Sequence, residues 1–371
     1  MIRVLHFIPA FGMGGVESLI MSYYRAIDKN KVQFDFLVET EEKRKEFEEI
    51  ESLGGKVYKL QKLNKKNPFS YICEVKEFFK RYASDVDVVH CHHIERATVV
   101  LYYAKKHKIQ LRIIHAHTDS IIDVRFRRIR QTFMRINNRL STHWFACSQA
   151  AGKFQFAKDK KPFYVLKNAI NSDMFKYRMQ QRNISRETFG FSQETVVLGH
   201  TGRFTYAKNH WKIIDVFYEM QKNEPSAHLL LVGDGPLKKE MEKKVIELGI
   251  ENLVSFTGAR DDISYLLQAM DIFILPSFYE GFCISLLEAQ CSGLLCICSN
   301  VIPKEVEMTH EILKLSLENS NDIWAEHILS ILPYKRESKH DVIIKNGYDI
   351  VENSRWLMDF YLRNTIGSRG Q

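Results

Sequence analysis

Residues 271–293 read DIFILPSFYEGFCISLLEAQCSG. The apolar run Ile272, Phe273, Ile274 and Leu275 predicts a buried strand. Pro276 stops it, a loop carries Glu280 and Gly281, and a helix is expected from about Ile284 to Gln290. Strand, loop and helix in that order leave backbone N–H groups unpaired at the helix start, where a negative ligand such as a phosphate is favoured. Glu280 in the loop and Glu288 one turn inside the helix frame that opening. A carboxylate repels phosphate, so the expected work of these two is to accept hydrogen bonds from hydroxyls on the same ligand. The ligand class implied is a sugar attached to phosphate.

Working outward, the same strand and helix alternation recurs on both sides. IRVLHFIPAFGMGGVESLIMSYYRAI opens the chain as strand, Gly-rich turn and amphipathic helix, the entry of a Rossmann-like unit. A dinucleotide fingerprint needs a third glycine where Glu17 stands after Gly12 and Gly14, so NAD is disfavoured. Strands are expected at 32–40, 56–60, 87–93 and 111–117, with helices at 41–52 and 70–82. In the second half strands are expected at 195–201, 228–232, 253–257 and 271–275, with helices at 209–222, 236–247 and 261–269. Such alternation predicts mostly parallel sheets with crossover helices, whose ligands sit beyond the C-terminal strand ends. The 371 residues exceed the roughly 250–300 at which a single core stops growing, so two domains are expected.

Charge is unevenly spread. Residues 1–180 hold 33 basic and 19 acidic side chains, a surplus of 14, and the remainder holds 20 and 26, a deficit of 6. VRFRRIRQTFMRINNRL (124–140) predicts a cationic amphipathic helix with Phe126, Ile129, Phe133, Ile136 and Leu140 on its apolar side. Three readings stay open for it: contact with an anionic membrane through Arg125, Arg127, Arg128 and Arg130, a charged surface helix, or a grip on nucleic acid. No RNA-recognition or helix-turn-helix signature accompanies the charge, so no nucleic-acid partner is expected. No run of about 18 apolar residues is present, and the opening stretch is too short and interrupted for a signal peptide. Seven cysteines without a C-x-x-C pair suggest free thiols in a reducing cytoplasm. The expected location is cytoplasmic, with any attachment to the inner membrane face peripheral.

Two histidine groups fall at strand ends. In His90-Cys91-His92-His93, strand geometry leaves only His90 and His92 on one side with no carboxylate partner, so no metal site is expected. The second group is His115-Ala116-His117. Asp85-Val86-Asp87 spells D-x-D but stands at the start of a strand, far from the edge where ligands bind.

Glu280 and Glu288 within ILPSFYEG and SLLEAQCSGL resemble the E-x7-E motif of retaining glycosyltransferases of GT-B architecture, glycosyltransferase family 4. Gly14-Gly15-Val16-Glu17 resembles that family's GG-x-E loop, Gly202-Arg203-Phe204 with Lys208-Asn209 its G-R-x…K-[GN] segment, Gly233-Asp234-Gly235-Pro236 its G-D-G-P turn, and VSFTGARDD its F-x-G segment. FYVLKNAINSDMF resembles the family's exit from the first domain, with Ala169 where glycine is usual. LCICSNVIPKEVEM carries Leu295 where proline is usual and is similar to a subgroup of capsular and exopolysaccharide synthesis.

The resemblance implies an α/β chain with two Rossmann-like, doubly wound domains facing across a cleft. An acceptor domain is expected at 1–178, a linker at 179–194, a nucleotide-sugar domain at 195–350, and a helix at 351–371 crossing back to the first domain. It implies transfer of a hexose or N-acetylhexosamine, with retention, from a nucleotide diphosphate sugar, UDP-linked by expectation, to a glycan or polyprenyl-linked acceptor. No metal or cofactor is implied. A GT-B epimerase or a non-catalytic sugar-nucleotide-binding subunit are the alternatives. Carried onto this chain, the catalytic residues are His117 beside the donor sugar, Glu280, Arg203 and Lys208. The donor is expected to be held by Gly14, Gly15, Arg203, Lys208, Glu280, Gly281, Phe282, Cys283 and Glu288.

Overall fold

Parallel strands covered by helices on both faces are buried on both sides, and the central strands here are built so, with His6, Asp35, His90 and His115 among their apolar residues. The computed structural model describes residues 1–9, 15–40, 45–63, 67–118 and 127–366. They form two compact units, Met1–Ala169 with Ile350–Gln371, and Ile170–Asp349.

The first unit holds β1 (Ile2–Ile8), β2 (Val32–Glu39), β3 (Val57–Leu60), β4 (Val88–Cys91), β5 (Leu111–Ala116), β6 (His143–Ala146) and β7 (Tyr164–Val165). All pairings are parallel, in the order β3-β2-β1-β4-β5-β6-β7. β2 and β4 are buried along their whole length. Asp85 and Asp87 lie before β4, where the Asp87 carboxylate accepts the Arg3 backbone N–H at 2.9 Å, so the D-x-D serves the strand start.

The C-terminal helix Ile350–Ile366 packs against the helix Gly15–Ala26. It buries Leu357, Met358, Phe360 and Tyr361 beside Leu19, Ile20 and Tyr23. This last helix therefore completes the core of the unit that the chain began.

The second unit holds β8 (Val197–Thr201), β9 (His228–Val232), β10 (Val254–Phe256), β11 (Ile272–Leu275), β12 (Leu295–Ser299) and β13 (Ile312–Leu315). Its order is β10-β9-β8-β11-β12-β13, again parallel throughout. Both sheets thus share the doubly wound order, which reverses between β1 and β4 in one and between β8 and β11 in the other. In open α/β sheets the crevice at that reversal, beyond the C-terminal strand ends, is where ligands bind.

Three expectations change. Residues 179–194 are not a connector: Met179–Thr188 is a helix packed within the second unit. Its polar letters mislead because Arg186 is fully buried, donating to the carbonyls of Ser192, Thr195 and Ala269, while Arg182 pairs with Asp271 at 2.6 Å. A guanidinium with five donors can satisfy interior carbonyls as well as water does. The unit boundary accordingly lies at 169/170. Lastly, β6, β7 and β13 are short strands that periodicity did not reveal.

The cationic helix spans Arg127–Leu140, with Arg125 and Phe126 outside the described residues. Its phase differs from the expected one. Met134, Asn137 and Asn138 are buried, whereas Ile129 and Ile136 are exposed. Hydrogen bonds anchor it: Asn137 donates to the Ile94 carbonyl at 2.5 Å and accepts from Thr98 at 2.7 Å, and Asn138 donates to Asp159 at 2.6 Å. Arg130 is bound to Glu95 at 2.5 Å. Hydrogen-bonded amides can occupy a buried helix face, and here they displace the isoleucines to the surface.

Candidate active site

In the second unit, β8 and β11 are hydrogen-bonded neighbours, so the loops leaving them, Gly202–Asn209 and Pro276–Cys283, emerge side by side. They are tied to each other. Phe278 N–H donates to the Ala207 carbonyl at 2.9 Å, and the Asn209 amide donates to the Pro276 carbonyl at 3.1 Å. Asn209 adopts a left-handed conformation, φ 55°, that lets the same side chain cap the helix His210–Gln221 by accepting from Lys212 N–H.

Across this join Lys208 Nζ lies 2.6 Å from Glu280 Oε1, and Ser277 Oγ donates to the same oxygen at 2.7 Å. Both charged side chains are largely buried. Burial opposes the Lys208 charge, but the Cys283 sulfur and the Glu280 carboxylate more than offset it and hold the lysine above its ordinary pKa. Oε2 of Glu280 has no hydrogen-bond partner among the described residues.

The helix Ile284–Cys291 begins at Cys283 with no side-chain capping hydrogen bond, and its first N–H groups are those that a helix leaves without an intrahelical partner. Gly281 is exposed, and Phe282 stacks on Tyr348 at 5.2 Å. Glu288, half-buried on this helix, has no side-chain hydrogen bond among the described residues, and burial pushes its pKa up to about 8. An unpaired carboxyl in such surroundings is costly unless a ligand supplies its partner.

Two further motifs build the floor. Gly202 N–H donates to the Val232 carbonyl, Phe204 N–H to that of Asp234, and Gly233 N–H to that of Gly258, all at 2.9 to 3.0 Å. Gly233 has φ 139°, and a Cβ there would lie 2.0 Å from the Gly202 carbonyl oxygen. The G-D-G-P and F-x-G segments therefore hold the Gly202-Arg203 turn in place by backbone contact. Arg203 is exposed, and its guanidinium has no ion-pair partner among the described residues.

In the first unit, Gly14 lies outside the described residues and Gly15 opens the helix Gly15–Ala26. Glu17 is buried in that helix's first turn. His117 follows β5 and its Nε2 lies 2.9 Å from His92 Nδ1, while His92 Nε2 lies 3.0 Å from His6 Nδ1. Burial holds His117 down at about 4 and His6 at about 3, so these rings are neutral near pH 7. His6, His90 and His92, and separately His92, His115 and His117, bring three ring nitrogens within 4.8 Å of one another, a spacing that alternating strand faces alone did not reveal.

The structure thus brings Lys208, Glu280, Cys283 and the start of the Ile284 helix together, with Arg203 on the adjoining turn. Residue-type reasoning missed Ser277 and the structural work of Asn209, although Ser three places before Glu280 and Asn at a turn were readable signals. It also missed His6, which sits in a strand and gives no sign of its neighbours.

Residues 181–349 match the family model for glycosyl transferases group 1, and residues 13–173 match that for glycosyltransferase family 4. EpsF of Bacillus subtilis is 30% identical over 369 residues, covering 97% of this chain and 96% of that protein. The capsular polysaccharide biosynthesis glycosyltransferase CapH of Staphylococcus aureus is 23% identical over 381 residues, covering 99% of this chain and all of CapH. Among solved structures, Anabaena HepE in complex with UDP superposes with a TM-score of 0.69 at 17% identity, covering 100% of this chain and 98% of that one. At that identity the likeness establishes the GT-B fold.

Proposed function

The chain belongs to the group 1 and family 4 glycosyltransferases, and from that premise we propose that it moves a hexose or N-acetylhexosamine from a UDP-sugar to a glycan or polyprenyl-linked acceptor, with retention, in surface polysaccharide synthesis. The observation that carries the donor assignment is the Lys208–Glu280 pair beside the uncapped Ile284 helix, with Glu288 unpaired one turn further in. HepE, which shares the fold, holds UDP, and CapH is named for capsular polysaccharide.

As the bond from sugar to diphosphate breaks, negative charge grows on the departing phosphate. Lys208, Arg203 and the N–H groups of Phe282 and Cys283 would stabilise that charge more in the transition state than in the ground state. Oε2 of Glu280 would accept from a sugar hydroxyl and Glu288 from the ribose hydroxyls. His117, on the resemblance to the family, would offer a ring nitrogen to a hydroxyl of the donor sugar. Side chains and a helix start supply the positive charge in this reading, so chelation by EDTA should leave the rate unchanged.

For the acceptor, Arg127 and Arg128 stand exposed beside Ile129, a cationic and partly apolar face suited to the anionic surface on which a polyprenyl diphosphate resides. Vesicles containing anionic lipid should retain the protein at low salt, and failure to do so removes the membrane from the proposal.

The first test is thermal unfolding with UDP, GDP, ADP and NAD. A ligand at about 100 times its Kd stabilises by about 2.7 kcal/mol, a shift of several degrees. UDP alone should raise the midpoint, and Arg203→Ala should abolish the shift. A response to NAD alone, or to none of the four, would overturn the donor assignment.

A further inference from the structure

Five histidines cluster on one face of the first sheet: His6 on β1, His90 and His92 on and just after β4, His115 and His117 on and just after β5. His6 and His90 are register partners, and the His6 and His92 rings lie nearly coplanar, edge to edge, with centroids 5.3 Å apart and an interplanar angle of 18°. Within this group two contacts run in series, His6 Nδ1 to His92 Nε2 at 3.0 Å and His92 Nδ1 to His117 Nε2 at 2.9 Å.

A neutral imidazole carries one N–H, and each contact consumes one, so both bonds must point the same way. In one polarity His6 Nδ1–H donates to His92, and His92 Nδ1–H donates to His117. His6 Nε2 is then left with a lone pair. In the other, His117 donates to His92 and His92 to His6, which must then carry its proton on Nε2. That nitrogen is buried and without a hydrogen-bond partner. A buried N–H with no acceptor is rarer than a buried lone pair with no donor, so the first polarity wins.

We propose that His92 and His6 are positioning residues that lock His117 as its Nδ1–H tautomer, so that it presents a hydrogen-bond donor to a hydroxyl oxygen of the donor sugar. The proposal rests on the assignment of His117 to that sugar. Nε2 of His117 is occupied by His92, and Nδ1 has no partner among the described residues. His90 is held outside the chain by Tyr361, whose hydroxyl lies 2.8 Å from its Nδ1. Burial keeps every ring of the chain neutral, as the one-proton argument requires.

The test uses the full chain labelled with 15N-histidine, with His117→Asn assigning the resonance. At pH 7 the His117 nitrogens should show a protonated Nδ1 and an unprotonated Nε2. His92→Leu should return His117 to the Nε2–H form that a free histidine side chain prefers and lower kcat about 10- to 100-fold, the scale on which outer partners of a working histidine act. The KM for the donor should hold within about twofold. His92→Gln, whose amide can donate in place of Nδ1–H, should restore the tautomer and most of the rate, and it covers the case in which the leucine variant does not fold.

A proton on His117 Nε2 in the unaltered protein, or a tautomer indifferent to His92→Leu, overturns the proposal. So does one equivalent of a transition metal by elemental analysis, since a metal would take the lone pairs the chain uses. If the tautomer shifts as expected but His117→Ala transfers sugar at the full rate, the lock stands and the role at the sugar falls.

Discussion

Lys208 and Glu280 neutralise each other at 2.6 Å, with Ser277 donating to the same carboxylate oxygen. Lys208→Ala leaves a largely buried carboxylate with one hydroxyl donor and, in the proposed transfer, removes a fixed cation from the departing phosphate. A fall in kcat of about 10²–10³-fold is expected, the scale of losing one preorganised donor. Glu280→Gln keeps the Ser277 bond but weakens the pair. Steady-state kinetics should show kcat falling in both, with unchanged kcat in either removing that residue from the reacting centre.

Glu288 makes a separate prediction. Its folded pKa, about 8, lies above the ordinary carboxyl value of 4.5, so between those limits the folded state binds more protons than the unfolded one. The contribution to stability is full below about pH 4.5 and is lost as pH rises through about 8, a span worth roughly a few kcal/mol. Glu288→Gln, which cannot ionise, should therefore gain on the wild type as pH is raised from 5 to 8.5. Parallel denaturation curves for the two proteins across that range would show that Glu288 is not held protonated.

At the scale of elements, the site depends on turns as much as on side chains. The turn after β9 lies against the turn after β8, with Gly233 at φ 139° and no room for a Cβ beside the Gly202 carbonyl. Gly233→Ala must either strain the backbone or push the Arg203 turn away. We expect a loss of roughly 1–3 kcal/mol, the usual cost of a residue forced into a sparsely populated conformation, and a weakened thermal response to UDP. An unchanged midpoint and full UDP response would mean that the two turns are not rigidly coupled.

The Arg127–Leu140 helix shows the limit of reading elements by apolar spacing. Its isoleucines looked like the inner face, but Asn137 and Asn138 won that position because each finds hydrogen-bond partners on a neighbouring element. A periodicity argument weighs side chains by hydrophobicity and cannot know which amides will be satisfied.

At the scale of the whole molecule, the chain leaves its first unit at residue 169 and returns to it at 350. The returning helix fills the first core with Leu357, Met358, Phe360 and Tyr361. Burying four such side chains contributes on the order of 6–12 kcal/mol, comparable to the entire stability of a domain. A chain ending at residue 349 should lose the folded first unit while retaining the second, so proteolysis should leave a fragment beginning near residue 170. A truncated chain with both units intact would show that the helix only decorates the surface.

The fold class, the two-domain organisation and the central motifs were legible because they are local. An all-apolar IFIL before Pro276, glycines where the backbone turns tightly, and Glu280 and Glu288 across a loop and helix start each carry their physics in a few adjacent residues. The resemblance to a known family rested on these same stretches, and the matches across 13–173 and 181–349 agree with it. Tertiary structure decided what depends on residues far apart in sequence. The interior carbonyls that bury Arg186 turned an apparent linker into a helix of the second unit, and the phase of the Arg127 helix followed its asparagines. The alignment of His6, His92 and His117 comes from three strands laid side by side, a juxtaposition that no spacing along one chain encodes.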